Sequence, residues 1–415
     1  MRRKKNMLLL GAALSALAAT ACGTAGKPPA PADFPAAGSE WEESSTLQAG
    51  EASRTVLPEE SIAEISRIFY EETKDAGTSY GLETAARVVA ALGESGYVAV
   101  DGGNQVDMEG ADEVLEFCRM AEGEENAEVA ILVVDGPDSF FAYELKCKGS
   151  NMTVTRTGYR LGVDGKFQAE GSTSYPAGFW QYTQEGYLIW EGSPFSEEEF
   201  VLTLSNAPEH TAIRVLPLDS RLREYNREYV LPVGYGWNNL FLCSWSEEDY
   251  NGLDFYDLFD ILCPRLYGRQ NPYVAAEGVN AGGICQIPEE VFETVIMRYF
   301  KIDQETLRSK TTYLPQKAAY EYRPRGSYEA QYPEIPYPEV ASYTINQDGT
   351  IALTVNGVYP YENTSKAYSH RTVIRLLDDG RFQYVSNEML PSGETPDTWW
   401  RHDRLAAEEW KEHYQ

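Results

Sequence analysis

The chain has 415 residues, 43% of them hydrophobic and 12% aromatic, enough to bury a large core, and its formal charge is −29. So acidic a surface repels nucleic acid and anionic lipid, which excludes both as partners held by charge. Six cysteines without a CxxC, beside only four histidines, exclude a zinc ribbon and a dense disulfide framework.

The chain opens with Arg2, Arg3, Lys4 and Lys5, then an apolar run from Met7 to Thr20, then Ala21, Cys22 and Gly23. Positive charge stays cytoplasmic while the apolar run enters the translocon. That run of fourteen residues is short of the ~20 that span a bilayer as a helix. Ala19-Thr20-Ala21-Cys22 resembles a lipobox, with Ala19 where a leucine is usual. The expectation is a signal peptide at 1–21 and a lipid-bearing N-terminus at Cys22, holding the protein on the outer face of a bacterial membrane. Residues 22–57 are rich in Ala, Pro, Gly, Ser and Glu, a composition that cannot bury enough surface to fold. As a flexible tether this segment reaches ~30–35 Å from the membrane.

A first α+β lobe is expected over 58–205. Pro58-Glu59-Glu60 suits a helix's first turn, and Ile62, Ile65, Ile68 and Phe69 form one stripe behind it. A second helix carries Leu82, Ala85, Val89 and Leu92. A short extended pair follows at Gly96–Val100 and Gln105–Asp107, and a third helix at about Glu109–Met120. The period then changes to two. Val129–Val134 reads as a strand buried on both faces, and Phe141, Tyr143, Leu145 and Cys147 alternate with polar residues. An Asp164-Gly165 turn leads into an aromatic meander with Trp180, Tyr182, Tyr187 and Trp190. This element order resembles the cone-shaped fold of the nuclear-transport-factor superfamily.

The segment 206–287, and the end of the first lobe before it, mix short strands (Val201–Leu204, Ala212–Val215, Leu240–Cys243) with a helix at Leu253–Leu262 ended by Pro264. A second lobe over 288–415 repeats the earlier logic: a helix after Pro288-Glu289-Glu290, a Pro- and Tyr-rich extended crossing at Tyr313–Val340, and hairpins turned at Asp348-Gly349 and Asp379-Gly380. The fold class is therefore α+β, helices followed by antiparallel meanders, in two lobes. Cys118 and Cys147 read as core residues, while Cys243, Cys263 and Cys285 leave room for one disulfide.

The segments LGESGYVAVDGGNQVDM, IPEEVFETVIMRYF, INQDGTIALTVNGVYP and VIRLLDDGRFQYVSN resemble an uncharacterised family of lipoproteins from clostridia and their relatives. The resemblance covers nearly all of the chain after the tail. It implies export in a single-membrane envelope and brings no catalytic residues to carry over.

Motifs for chemistry are scarce. There is no HExxH, GxSxG, SxxK or Walker loop, and Gly234-Tyr235-Gly236 is too short for a dinucleotide turn, so neither cofactor nor metal is expected. Asn346–Ile351 mimics part of an EF-hand but would need Thr344 and Val355 as ligands, which reads instead as a hairpin turn. With 64 acidic residues, no carboxylate pair can be chosen as a glycosidase acid and base. Trp180, Tyr182, Tyr187 and Trp190 are the aromatic candidates for a ligand surface, with sheet core as their structural alternative, while Trp399-Trp400 reads as a clamp for the last helix. The expected function is a membrane-anchored, non-enzymatic protein that binds an envelope glycan or protein. A cell-envelope hydrolase with a carboxylate pair in a cone-shaped pocket is the alternative, and an importer's solute-binding subunit a weaker third.

Overall fold

The structure, a computed structural model, describes residues 57–74, 80–194, 208–273, 283–391 and 398–414. The signal segment, Cys22, nearly all of the tether and the strand expected at Val201–Leu204 lie outside the described residues. No described helix is long and apolar enough to cross a membrane. The architecture is α+β, with eight α-helices and four sheets among the described residues and no closed barrel.

Helix α1 (Glu59–Thr73) begins at Pro58, whose φ of −53° is preset for a helical start. Its buried Ile65, Ile68 and Phe69 pack on Val88, Val89 and Leu92 of α2 (Leu82–Glu94). A five-stranded sheet follows in the order β1 (Ala99–Asp101), β2 (Ala127–Val134), β3 (Ser139–Lys148), β4 (Asn151–Leu161) and β5 (Phe167–Pro176), with α3 (Ala111–Glu122) between β1 and β2. The extended pair expected at 96–107 is not a hairpin. β1 runs parallel to β2, and its other edge makes a single bridge, Ala99 to Glu109. The intervening turn is wrapped around Asp101, whose carboxylate accepts from the N–H groups of Gly103, Gln105 and Val106 at 3.1, 3.1 and 2.6 Å. A side chain has taken the place of a second strand.

Alternation along β2 and β3 divides the apolar side chains between two layers. Leu132, Val134, Phe140 and Ala142 join α1 and α2, whereas Ile131, Tyr143 and Leu145 join Val114, Phe117 and Cys118 of α3. Both faces of β2 and β3 are packed, leaving no open cone there, while residues 168–174 of β5 are exposed.

A three-stranded sheet, β6 (Phe179–Tyr182), β7 (Tyr187–Gly192) and β8 (Glu209–Arg214), lies against the second of these layers. The same period-two logic makes β7 a joint. Leu188 and Trp190 point into the first sheet's core, while Tyr187 and Ile189 pack against Val358 from the C-terminal part. A buried polar knot reinforces that seam. Arg214 Nη1 and the Tyr187 hydroxyl both donate to Glu339, at 2.6 and 2.5 Å, and Asn104 Nδ2 donates to the Ala212 carbonyl at 2.9 Å.

The chain continues through α4 (Ser220–Tyr225), β9 (Trp245–Ser246), α5 (Phe255–Tyr267), β10 (Cys285–Pro288), α6 (Glu289–Tyr299), α7 (Gln304–Ser309), β11 (Tyr313–Leu314) and β12 (Ala319–Tyr322). A second five-stranded sheet then forms from β13 (Tyr337–Ile345), β14 (Ile351–Tyr359), β15 (Thr364–Leu376) and β16 (Phe382–Leu390), with β9 added at its far edge, and α8 (Ala407–Tyr414) ends the chain. The largest core fills the space between this sheet and helices α5 and α6. The segment expected to cross in extended form, 313–340, is broken by β11, β12 and short 3₁₀ turns.

Three local expectations are corrected. Leu240–Cys243 is a loop, because the fully buried Asn238 donates to the Val233 and Gly236 carbonyls and accepts from Leu240 N–H, doing the work of a ladder. Helix α5 runs past Pro264 to a left-handed Gly268 with φ of 64°. The proline falls in the last turn, where one missing N–H is outweighed by burial of Leu258, Phe259, Leu262 and Cys263. Cys118, Cys147, Cys243, Cys263 and Cys285 are all free thiols, so the room for a disulfide among the last three is not used.

Candidate ligand-binding groove

The four aromatic residues singled out from the sequence serve the sheets. Trp190 is fully buried, with its ring 5.2 Å from Tyr143 in an edge contact, and Tyr187 is buried with its hydroxyl on Glu339. Trp180 and Tyr182 are half-buried and pack against the same layer as Trp190. The structure brings the four together in one small sheet but not onto one open surface.

A different aromatic set does reach the surface. At the seam between β8 and the C-terminal sheet lies a groove of about 540 Å³, within the ~300–1,000 Å³ typical of ligand sites. One wall is Tyr332, Pro333, Glu334 and Ile335, from the segment entering β13. Another is Tyr359, Pro360 and Tyr361, where β14 ends in a 3₁₀ turn. Trp399 and the start of β8, with Pro208 and His210, complete it. Tyr332 is 49% exposed and Tyr361 41%, so accessible ring surface is concentrated along these walls.

The rings form a continuous series. Trp399 lies 5.1 Å from Tyr332 and 5.6 Å from Tyr361, which is 6.1 Å from Tyr359 and 4.8 Å from His210. Each is positioned by the fold. Trp400 is fully buried in the core, and its carbonyl accepts from Tyr332 N–H at 3.1 Å, so the neighbouring Trp399 is held at the surface beside Tyr332. The expected Trp399-Trp400 clamp is thus divided, one ring anchoring and the other lining the groove. Trp399 Nε1 donates to Glu362 at 3.2 Å, and the Tyr359 hydroxyl donates to the Glu334 carbonyl at 3.2 Å. His210 stands opposite Glu191 in the β7–β8 ladder, with Nδ1 3.8 Å from the Glu191 carboxylate. Beside the groove, Trp237 is 42% exposed in a left-handed conformation (φ 58°), and its N–H donates to Gln331 at 2.6 Å. A bulky residue held there is strained, and only surrounding contacts keep it in place.

The groove's charge is one-sided. Glu334 lines it, Glu362 and Glu191 contact its lining, and among the described residues that line it none is Lys or Arg. Four carboxylates drawn into the interior are, by contrast, engaged by cations and phenols, while Asp101 and Glu329 accept from backbone N–H groups. Asp257, wholly buried, is bonded by Arg325 and Arg404. Asp260 takes Arg404 and Tyr322, Glu293 takes Arg308 and Tyr320, and Glu339 takes Arg214 and Tyr187. Burial raises Asp254 and Glu339 above the usual carboxylate range, but Asp254 caps α5 and Glu339 ties the seam. Among the described residues no group of three or more His, Cys, Asp or Glu could hold a metal ion.

The sequence did contain a signal for the groove. Tyr332-Pro333 and Tyr359-Pro360 are Tyr-Pro pairs, in which proline biases the preceding residue toward extended backbone, although Tyr175-Pro176 and Tyr337-Pro338 share the pattern and do not line the groove.

The described residues form an α+β fold with two five-stranded sheets, a three-stranded sheet that joins them and an acidic, aromatic groove at the seam. The chain belongs to a family of unknown function, DUF6070, whose model matches residues 54–404. No curated protein and no solved structure matches it.

Proposed function

We propose that this is an extracytoplasmic, lipid-anchored binding protein that takes its ligand in the groove around Trp399. The observation that carries the binding reading is the continuous series of partly exposed rings, Tyr332, Trp399 and Tyr361, at the surface of an otherwise well-packed molecule. The address rests on the basic start, the apolar run and Ala21-Cys22. An acidic surface gives no attraction to anionic lipid, so a covalent anchor supplies the membrane attachment. Buried carboxylates locked by guanidinium and phenol groups favour this reading over an envelope hydrolase, whose acid must be free to exchange a proton at an open cavity.

Two measurements test it. Fractionation of intact cells with and without globomycin, beside a Cys22→Ser variant, is expected to show loss of lipid labelling and release of the variant from the membrane. Crosslinking on intact cells, compared between the native chain and Trp399→Ala, is expected to yield an adduct that the variant loses. Retention of Cys22→Ser on the membrane would end the anchoring reading, and an unchanged adduct the groove reading.

A further inference from the structure

We propose that the groove's ligand is an extended, proline-rich polypeptide segment bearing basic side chains; the inference rests on the groove reading above and names the chemistry of its occupant. The tilt of the rings is the first observation. Trp399 is inclined by 59° to Tyr332 and by 51° to Tyr361, so successive rings enclose wedge-shaped slots and do not make one flat platform. A sugar ring stacks best on a flat face. A polyproline II helix is ridged, repeating every three residues with about 3.1 Å rise per residue, so one ridge recurs about every 9 Å and can seat in slots of this kind. Such a helix is already ordered before binding, so little conformational entropy is lost when it docks on an aromatic groove.

Charge is the second observation. Glu334 lines the groove, and Glu362 and Glu191 touch its lining. Three carboxylates, with no Lys or Arg among the described lining residues, favour lysine or arginine on the ligand and oppose polyanionic wall polymers. The third is hydrogen bonding. A polyproline II backbone leaves its carbonyls unpaired, and the surface phenols of Tyr332 and Tyr361 can donate to them.

The test uses the full chain in detergent micelles and calorimetric titration. The probes are a twelve-residue polyproline peptide with lysine at every third position, its glutamate counterpart, and the hexamer of N-acetylglucosamine. The lysine peptide is expected to bind and the glutamate peptide to bind at least tenfold more weakly. Trp399→Ala and, separately, the half-exposed Tyr332→Ala are each expected to weaken the lysine peptide by roughly tenfold, the loss of one well-placed ring. Glu334→Gln is expected to weaken it severalfold and to flatten its salt dependence. If the saccharide binds instead, and Trp399→Ala removes that binding, the groove stands and the peptide inference falls. If no probe binds, the peptide inference falls. Peptide binding indifferent to both ring variants, with their thermal unfolding unchanged, would overturn the groove itself.

Discussion

Arg404 Nη2 lies 2.9 Å from Asp257 Oδ1, joining residues 147 positions apart in a place where the carboxylate has no exposure to solvent. Arg325 grips the same carboxylate with Nε and Nη2 at 2.8 and 2.6 Å, and Arg404 also reaches Asp260 at 2.7 Å. Asp254, Asp257 and Asp260 recur every third residue at the head of α5, so one face of that helix presents them together. The knot fastens the segment that carries Trp399 and Trp400 to the helix beneath it.

Removing one member of a buried ion network leaves the others charged and uncompensated. Asp257→Asn is therefore expected to lower unfolding free energy by about 3–5 kcal/mol. Arg119→Ala, which breaks an exposed pair with Glu116, is expected to change little. Urea denaturation of the two variants beside the native chain checks both.

His370 sets a pH dependence. It is fully buried on β15 between Tyr235 and Asn387, with ring nitrogens 3.1 and 2.7 Å from their oxygens, and burial lowers it to about 4. The unfolded imidazole titrates near 6.5. Above that value both states are neutral and stability is complete. As pH falls from about 6.5 toward 4, only the unfolded chain takes the proton, and about 3 kcal/mol is lost. Denaturation midpoints at pH 7 and 4.5 are expected to differ in the native chain, and to differ less in His370→Phe, whatever that variant's absolute stability.

Tyr187 and Trp399 separate stability from binding. Tyr187→Phe deletes a hydrogen bond to the buried Glu339 carboxylate and is expected to cost about 1.5–3 kcal/mol. Because Tyr187 is covered, the same variant is expected to leave ligand affinity unchanged. Trp399→Ala is expected to do the reverse, weakening binding with a smaller change in melting temperature. Calorimetry and thermal unfolding on both variants check the contrast.

The thiols give a simple chemical count. Burial pushes Cys118 up to about 12 and raises Cys147, Cys243 and Cys263 as well, so none of the four offers a thiolate at neutral pH. A Cys22→Ser chain unfolded without reductant is expected to titrate five thiols, and Cys118, Cys147 and Cys263 in the folded chain none. Fewer than five would reveal a disulfide.

Elements specified by neighbours in the sequence were legible. Both Pro-Glu-Glu starts open helices, at Glu59 and Glu289, and Gly165, Gly349 and Gly380 take the left-handed φ values of 75°, 82° and 78° that their hairpins need. Alternation placed Tyr143, Leu145 and Cys147 together on one buried face. Where a side chain replaced a backbone partner, as Asp101 and Asn238 do, the same local reading gave a strand too many. Hydrophobicity cannot report which N–H a carboxylate or amide will satisfy.

The amino-acid sequence by itself determined the fold class, the turns, the helix starts and which positions are apolar, since each depends on dihedral preference and period within a few residues. It could not say which rings are covered. Trp190 and Trp399 are the same residue type with opposite fates, the first closed between two sheets and the second held outward by Trp400 beneath it. That distinction belongs to the tertiary structure, because the groove is assembled from β8, the β13 approach, the end of β14 and the C-terminal segment, and only long-range packing brings them to one place.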